Sequence, residues 1–202
     1  MKLRLAAVIL LCATSANAAD ESPKRDTSHG RFDGDLAIAP SVGATFGPRG
    51  PRVAGDFRFR YLSTAGLFLT YEDGPLVGSS AQPRRVFATG VELRPLFLAR
   101  WARGLEIGEP RLDLLIDSLA LEVGAAFAGR PGLQAGLGLE IPVFAKATGL
   151  FLGVHGGARW SDVALSGGPL GGPSDRSLYL ALTLGWQQLF GGNVVDMGDP
   201  RR

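Results

Sequence analysis

Between Asp35 and Phe190 the chain alternates large apolar residues with small, polar or charged ones at a period of two, the pattern of β-strands with two unlike faces. Eight segments carry the alternation. In the first, Leu36, Ile38, Pro40, Val42, Ala44 and Phe46 oppose Asp35, Ala37, Ala39, Ser41, Gly43 and Thr45. The second sets Val53, Phe57, Phe59 and Tyr61 against Asp56, Arg58 and Arg60, and the third sets Leu67, Leu69 and Tyr71 against Phe68, Thr70 and Glu72. The fourth places Phe87, Val91, Leu93 and Phe97 opposite Ala88, Gly90, Glu92 and Arg94. The fifth places Leu119, Leu121, Val123, Ala125 and Phe127 opposite Ala120, Glu122, Gly124 and Ala126. In the sixth, Leu133, Leu137, Leu139 and Ile141 face away from Gln134, Gly136, Gly138 and Glu140; in the seventh, Leu150, Leu152, Val154 and Trp160 face away from Gly153, His155, Gly157 and Arg159. The eighth opposes Leu178, Leu180, Leu182, Leu184 and Trp186 to Tyr179, Ala181, Thr183 and Gln187. Each segment has about the 9–11 residues that a tilted strand needs to cross a bilayer.

A soluble sandwich also alternates, so the second face decides between the two. In a sheet that meets water this face is rich in Lys, Glu, Thr and Ser. Here it is mostly Gly and Ala with a few charges of both signs, and beyond residue 19 the only lysines are Lys24 and Lys146. Small residues beside pairable Arg and Glu suit the interior of a narrow eight-stranded barrel, which side chains fill. The aliphatic and aromatic face then points to lipid, and closure leaves no backbone N–H or C=O unpaired in hydrocarbon. Connection lengths agree with such a barrel. Short turns are expected at Ser63-Thr64 and over Ala145 to Thr148, with longer Gly/Pro/Ser-rich loops over Asp73 to Pro83 and Ser161 to Arg176. Two further connections, Gly47 to Arg52 and Gly129 to Pro131, are short and form low rims.

The alternation fails between Trp101 and Leu119, where a strand would turn Asp113 and Asp117 to lipid. At helical spacing Leu112, Leu115, Ile116 and Leu119 fall at i, i+3, i+4 and i+7, with Pro110 placed for a first turn. The expected fold is therefore all-β: a closed eight-stranded antiparallel up-and-down transmembrane β-barrel with one short amphipathic helix between strands 4 and 5. That helix either lies at the membrane interface or packs against its own barrel.

Composition then separates the ends from the barrel. Lys2 and Arg4 precede the apolar run Leu5 to Cys12, and Ala16-Asn17-Ala18-Ala19 closes it with small residues, which is the layout of a secretory signal peptide cleaved after Ala18 or Ala19. The expected segments are a signal peptide over 1–19, a flexible leader over 20–33, the barrel over 34–190 and a tail over 191–202. The formal charge of +2 belongs to the signal, whose loss leaves basic and acidic residues balanced, so nothing in the totals marks a nucleic-acid partner. With 46% hydrophobic residues the chain is not of the disordered class. Its one cysteine, Cys12, lies in the signal, which excludes a disulfide or thiol chemistry from the mature protein.

The candidate functional residues are the ionic ones on the small-residue face: Asp56, Arg58, Arg60, Glu72, Glu92, Arg94, Glu122, Glu140, His155 and Arg159. Enclosed in a narrow lumen, opposite charges must pair, because desolvating them singly is prohibitive. A salt-bridge network filling the barrel is the expected arrangement; a proton or ion path is the alternative. His155 is the only histidine in the strands, with Gly156-Gly157 and no serine beside it, so a hydrogen-bonded interior role is expected over a catalytic one. No metal-ligand spacing occurs and no cofactor is expected. Gly167-Gly168-Pro169-Leu170-Gly171-Gly172 lacks the Lys and Ser/Thr of a phosphate loop and reads as a plain loop. Arg84-Arg85 stands at a loop edge, where it is a solvated pair or a contact for lipopolysaccharide phosphates.

With its signal peptide, eight dyad-repeat segments and aromatic residues Phe57, Tyr61, Tyr71, Trp101, Trp160 and Trp186 near strand ends, the chain resembles the small eight-stranded outer-membrane β-barrel proteins of Gram-negative bacteria. The resemblance covers Asp35 to Phe190. It implies an outer-membrane location, outer-membrane lipids and lipopolysaccharide as surroundings, and the outer-membrane assembly machinery as a partner. That machinery commonly reads an aromatic residue at the end of the last strand. Phe190 has the matching parity, although Gly191 to Arg202 follow it. Two other readings compete with a structural or interaction role: a lipid-modifying barrel enzyme using His155, and a secreted soluble barrel binding an apolar ligand inside.

Overall fold

The structure, a computed structural model, describes residues 29–48, 50–74, 85–171 and 175–191. The signal segment, most of the leader, Arg84, Gly172 and nearly all of the tail lie outside these residues. Eight strands follow one another around a closed barrel: β1 (Leu36–Gly47), β2 (Gly50–Tyr61), β3 (Ala65–Asp73), β4 (Arg85–Leu93), β5 (Ala120–Phe127), β6 (Pro131–Pro142), β7 (Gly149–Ser161) and β8 (Arg176–Phe190). Each pairs antiparallel with its sequence neighbours, and β1 closes the ring on β8, with Val42 opposite Gly55 on one side and Leu184 on the other. Every strand thus has two partners and the sheet has no edge.

The two faces sort as the alternation requires. Val42, Leu67, Val91 and Leu121 are exposed on the outside, with Val42 at 67%, while Ala37, Ala39, Ala54, Ala88 and Ala126 are buried inside. Phe68 is the large apolar side chain of the lumen and packs with Ala88 and Ala126. Phe151, on the lumen parity of β7, is also buried inside and went unremarked in the alternation.

Small residues are required at particular places in the wall. Gly90 and Gly124 face each other across the β4–β5 register on the lumen side. A Cβ at Gly90 would stand 2.2 Å from the Val123 carbonyl oxygen and 2.9 Å from the Phe68 ring. Gly55, on the outer parity of β2, has nothing within 4 Å of the same construction.

Two features depart from the expectation. β4 ends at Leu93 instead of running on to Phe97, because Pro95 has no N–H for the ladder. Phe97 keeps the strand parity by coincidence; it sits on a helix and is buried. Second, the β4–β5 connection holds two helices instead of one, α1 (Leu96–Trp101) and α2 (Pro110–Asp117), the second starting on Pro110 as its spacing predicts. Trp101 is accordingly on α1 and not at a strand end. A single-turn helix α3 (Asp162–Leu165) follows β7, with the Ser161 side chain accepting from the Ala164 N–H.

Gly90→Ala is expected to destabilise the barrel by about 1–3 kcal/mol, the usual range for overpacking, whereas Gly55→Ala should stay within about 0.5 kcal/mol of the parent. Denaturant midpoints in detergent micelles measure both. Equal shifts for the two variants would contradict the assignment of the inner face.

Candidate functional site

Strand β2 supplies Asp56, Arg58 and Arg60 at alternate positions, so all three point into the lumen. Glu72 comes from β3, Glu92 from β4, Arg94 from the residue after it, Glu122 from β5, Glu140 from β6, and His155 and Arg159 from β7. All ten are buried. Arg58 lies at the centre: its Nε donates to Asp56 at 2.7 Å, and its Nη1 donates to Glu122 at 2.6 Å and to Glu92. Arg60 donates to Glu92, to Glu140, and at 2.6 Å to the Gln187 side-chain oxygen. Arg94 forms an ion pair with Glu140 at 2.8 Å. Arg159 grips Glu72 with both terminal nitrogens at 2.6 and 3.1 Å, and its Nε donates to Gln134 at 2.7 Å.

Arg52 completes the set with an ion pair to Glu72 at 3.8 Å, so arginines 52, 58, 60, 94 and 159 meet carboxylates 56, 72, 92, 122 and 140 in equal number. Arg52, Gln134 and Gln187 were not singled out from the sequence. Gln134 and Gln187 could have been, since both share the lumen parity.

His155 turns Nδ1 to Glu122 at 2.8 Å and is enclosed by the wall. Two glycines make room for it. A Cβ at Gly138 would stand 2.6 Å from Nδ1, and one at Gly153 2.9 Å from Nε2. Tyr179 stacks under Arg159, whose guanidinium carbon lies 4.1 Å from the ring centroid. Near His155, Tyr179 and Thr183 the lumen keeps a small cavity, with room for about one water molecule. Among the described residues the lumen holds a buried salt-bridge network. His155 is buried on the lumen side of the wall, away from the lipid-facing surface.

A second ionic cluster closes the helical end of the barrel and was not visible in the alternation. The leader, expected to be flexible to residue 33, is held down from His29 on. Arg31 is buried and pairs with Asp117 at 3.0 Å, and the His29 ring meets Asp113 at 3.3 Å. Phe32 packs against Phe97 and Trp101 with ring centroids 5.4 and 4.9 Å apart. Arg100 of α1 reaches both Asp113 and Asp117 at 2.6 Å. Burial pulls the Arg31 guanidinium down to about 10, against the attraction of Asp117.

Burial would raise the Asp113 carboxyl, but the Ile107 N–H, Arg100, the Gly108 N–H and His29 outweigh it and hold the group at about 2. Beneath this clamp is a cavity of about 40 Å³ bordered by Arg31, Arg94, Asp117, Glu140 and Gln187.

Arg85 pairs with Asp73 at 3.7 Å across the β3–β4 rim and is well exposed. Among the described residues no group of three or more His, Cys, Asp or Glu is placed to hold a metal ion. The aliphatic parity faces out, which overturns the soluble barrel with an apolar interior.

Fold and site together define a closed eight-stranded antiparallel barrel, apolar outside and ionic inside. Among solved structures it is similar to the N-terminal β-barrel domain of OprF from Pseudomonas aeruginosa, at 10% identity over 77% of this chain and 98% of that one, with a TM-score of 0.43. It is also similar to the attachment invasion locus protein Ail of Yersinia pestis, crystallised with the heparin analogue sucrose octasulfate, at 10% identity over 76% and 96% of the two chains and a TM-score of 0.36. At these scores neither likeness carries an argument, and the architecture rests on the strand pairing itself. No protein-family model and no curated protein matches the chain.

Because Asp113 is held at about 2 in the fold against its ordinary 3.8, the clamp contributes stability above pH 4 and loses it as pH falls through about 2. With Trp160→Phe and Trp186→Phe in place, emission from Trp101 should stay constant from pH 7 to 4 and change only near pH 2. In Asp113→Asn the change should already be present at pH 7. A transition centred near pH 4 would contradict the clamp.

Proposed function

We propose that the protein is an integral outer-membrane β-barrel whose lumen is plugged by its own side chains and which serves a structural or interaction role without catalysis. The observation that carries this reading is the inverted polarity of the wall. Leu67, Val91, Leu121, Leu137 and Leu182 are exposed on the outside while Arg58, Arg60, Glu72, Glu92 and Glu122 are all but fully buried within. In water that arrangement exposes a continuous apolar belt, far beyond the scattered patches of soluble monomers. In a bilayer the same belt meets lipid, and closure leaves no open sheet edge in the hydrocarbon.

Loop lengths supply the orientation. The end with the leader and the short β2–β3 and β6–β7 connections faces the periplasm, the helical β4–β5 connection being the long exception there, and the β3–β4 and β7–β8 loops face outward beside the short β1–β2 and β5–β6 turns. Residues 1–19 serve as the export signal, removed after Ala18 or Ala19; residues 34–190 are the inserted unit, with 191–202 as a tail. Outer-membrane lipids are the belt's partner, lipopolysaccharide contacts belong to the outward rim, and Phe190, exposed at the end of β8, is the residue offered to the assembly machinery. The ten ionic positions of the lumen, with Arg52, act as its plug: five arginines cross-link carboxylates from four further strands and from β2 itself.

The test uses single cysteines in membranes, with Cys12 replaced by Ala. A lipid-soluble maleimide should label Val91→Cys, a membrane-impermeant one should leave it unlabelled, and neither should label Ala88→Cys in the folded barrel. A folded pool in the soluble fraction, or labelling of Val91→Cys by the impermeant reagent, would contradict the reading.

A further inference from the structure

Helix α2 is amphipathic, and it is mounted with its polar side toward the protein. Asp113 and Asp117 are buried against Arg31 and Arg100, at 0% and 2% exposure, with Leu114 buried beside them, while Leu112 on the helix and Leu119, two residues past its end, stand exposed at 40% and 37%. Leu115 and Ile116, on the same stripe, are half-buried. A helix that merely packed on its barrel from water would bury Leu112 and Ile116 along with Leu114 and turn the aspartates out.

The inversion extends along the connection. Leu98, Trp101, Leu105 and Ile107 are also exposed, the last two at 57% and 60%. Both ends of this hairpin are tied to adjacent strands. α1 begins three residues after Leu93, the last residue of β4, and α2 ends three residues before Ala120, the first of β5. Leu93 and Leu121, which flank the junction, belong to the outward apolar belt. Leu119, exposed between the end of α2 and β5, shares the outward parity of Leu121, so exposed apolar positions run from the hairpin into the wall. Arg103 and Arg111 stand exposed on the same hairpin, with stems long enough to reach phosphate.

We infer that the α1–α2 hairpin is a lipid-binding element: its outward face lies in the interfacial layer of the membrane leaflet next to the helical end of the barrel, with Arg103 and Arg111 on phospholipid headgroups. The ionic clamp then has a second use. Pairing Asp113 and Asp117 with Arg31 and Arg100 removes their charges from the lipid side and fixes the rotation of α2 that presents Leu112. The inference rests on the outer-membrane reading of the barrel and adds a membrane contact outside the strands.

The experiment is spin-label accessibility in the full chain, with Cys12 replaced by Ala, refolded into vesicles of phosphatidylethanolamine and phosphatidylglycerol. Labels at Leu112→Cys and Ile107→Cys probe the hairpin at two independent places, and a label at Leu137→Cys probes the belt. If all three collide several-fold more with oxygen than with a water-soluble nickel chelate, relative to a label on exposed Gly171→Cys, the inference holds. If the belt label prefers oxygen but both hairpin labels favour nickel, the hairpin lies in water and the inference fails alone. If the hairpin labels are immobile and shielded from both reagents, a second copy or another part of the chain covers the face, and the inference again fails. If the belt label also favours nickel, the outer-membrane reading falls with it.

Discussion

A guanidinium or carboxylate pointing into an eight-stranded barrel has almost no water to solvate it, so it must find an opposite charge on another strand. Much of this structure follows from that constraint. Arg58 alone ties β2 to β4 and β5 through Glu92 and Glu122, Arg60 extends the chain to β6 and β8 through Glu140 and Gln187, and Arg159 ties β7 to β3 through Glu72. These bonds cross the lumen between strands that are not hydrogen-bonded neighbours. Breaking one by removal of a single partner leaves a buried charge uncompensated, at a cost of about 3–5 kcal/mol. The network therefore specifies which face of strands β2 to β7 points inward, since a slip of one residue would turn these charges outward.

Other features of the interior serve that network. Gly138 and Gly153 leave the space in which His155 meets Glu122, and the alanines of β1, β2 and β4 keep the lumen wide enough for five arginine side chains. Most large apolar residues cover the outside, with Phe68, Val86, Phe151 and Leu189 among those turned inward. The helical end repeats the rule on a smaller scale. Arg31 and Arg100 neutralise Asp113 and Asp117 on the side facing the protein, and Leu112 is left facing away from it. One physical requirement, that buried charge be paired, produces the same inside-out sorting in a sheet and in a helix.

Alternation made the barrel legible because strand periodicity and side-chain size coincided: Phe57 and Phe59 against Asp56, Arg58 and Arg60 leave little choice of face. It was silent where periodicity carries no information. Phe97 kept the parity of β4 although the chain had already turned at Pro95, so parity overran the strand and concealed α1. Arg31 sits in a segment with no pattern, and its burial depends on α2, whose first residue is 79 positions away. Pairing across the lumen was equally hidden. Arg60 and Gln187 are separated by 127 residues, and neighbour order in an up-and-down barrel does not say which side chains meet across its axis.

The claim on which this account stands is that paired charge in the lumen holds the barrel. A double-mutant cycle on Arg159 and Glu72, the bidentate pair least entangled with the rest, tests it most directly. Unfolding free energies in micelles of Arg159→Met, Glu72→Leu and the double variant would be compared with the parent. The account predicts that each single variant is strongly destabilised and that the double falls short of their sum by about 2 kcal/mol or more. Additive losses, with no coupling between the two positions, would contradict it.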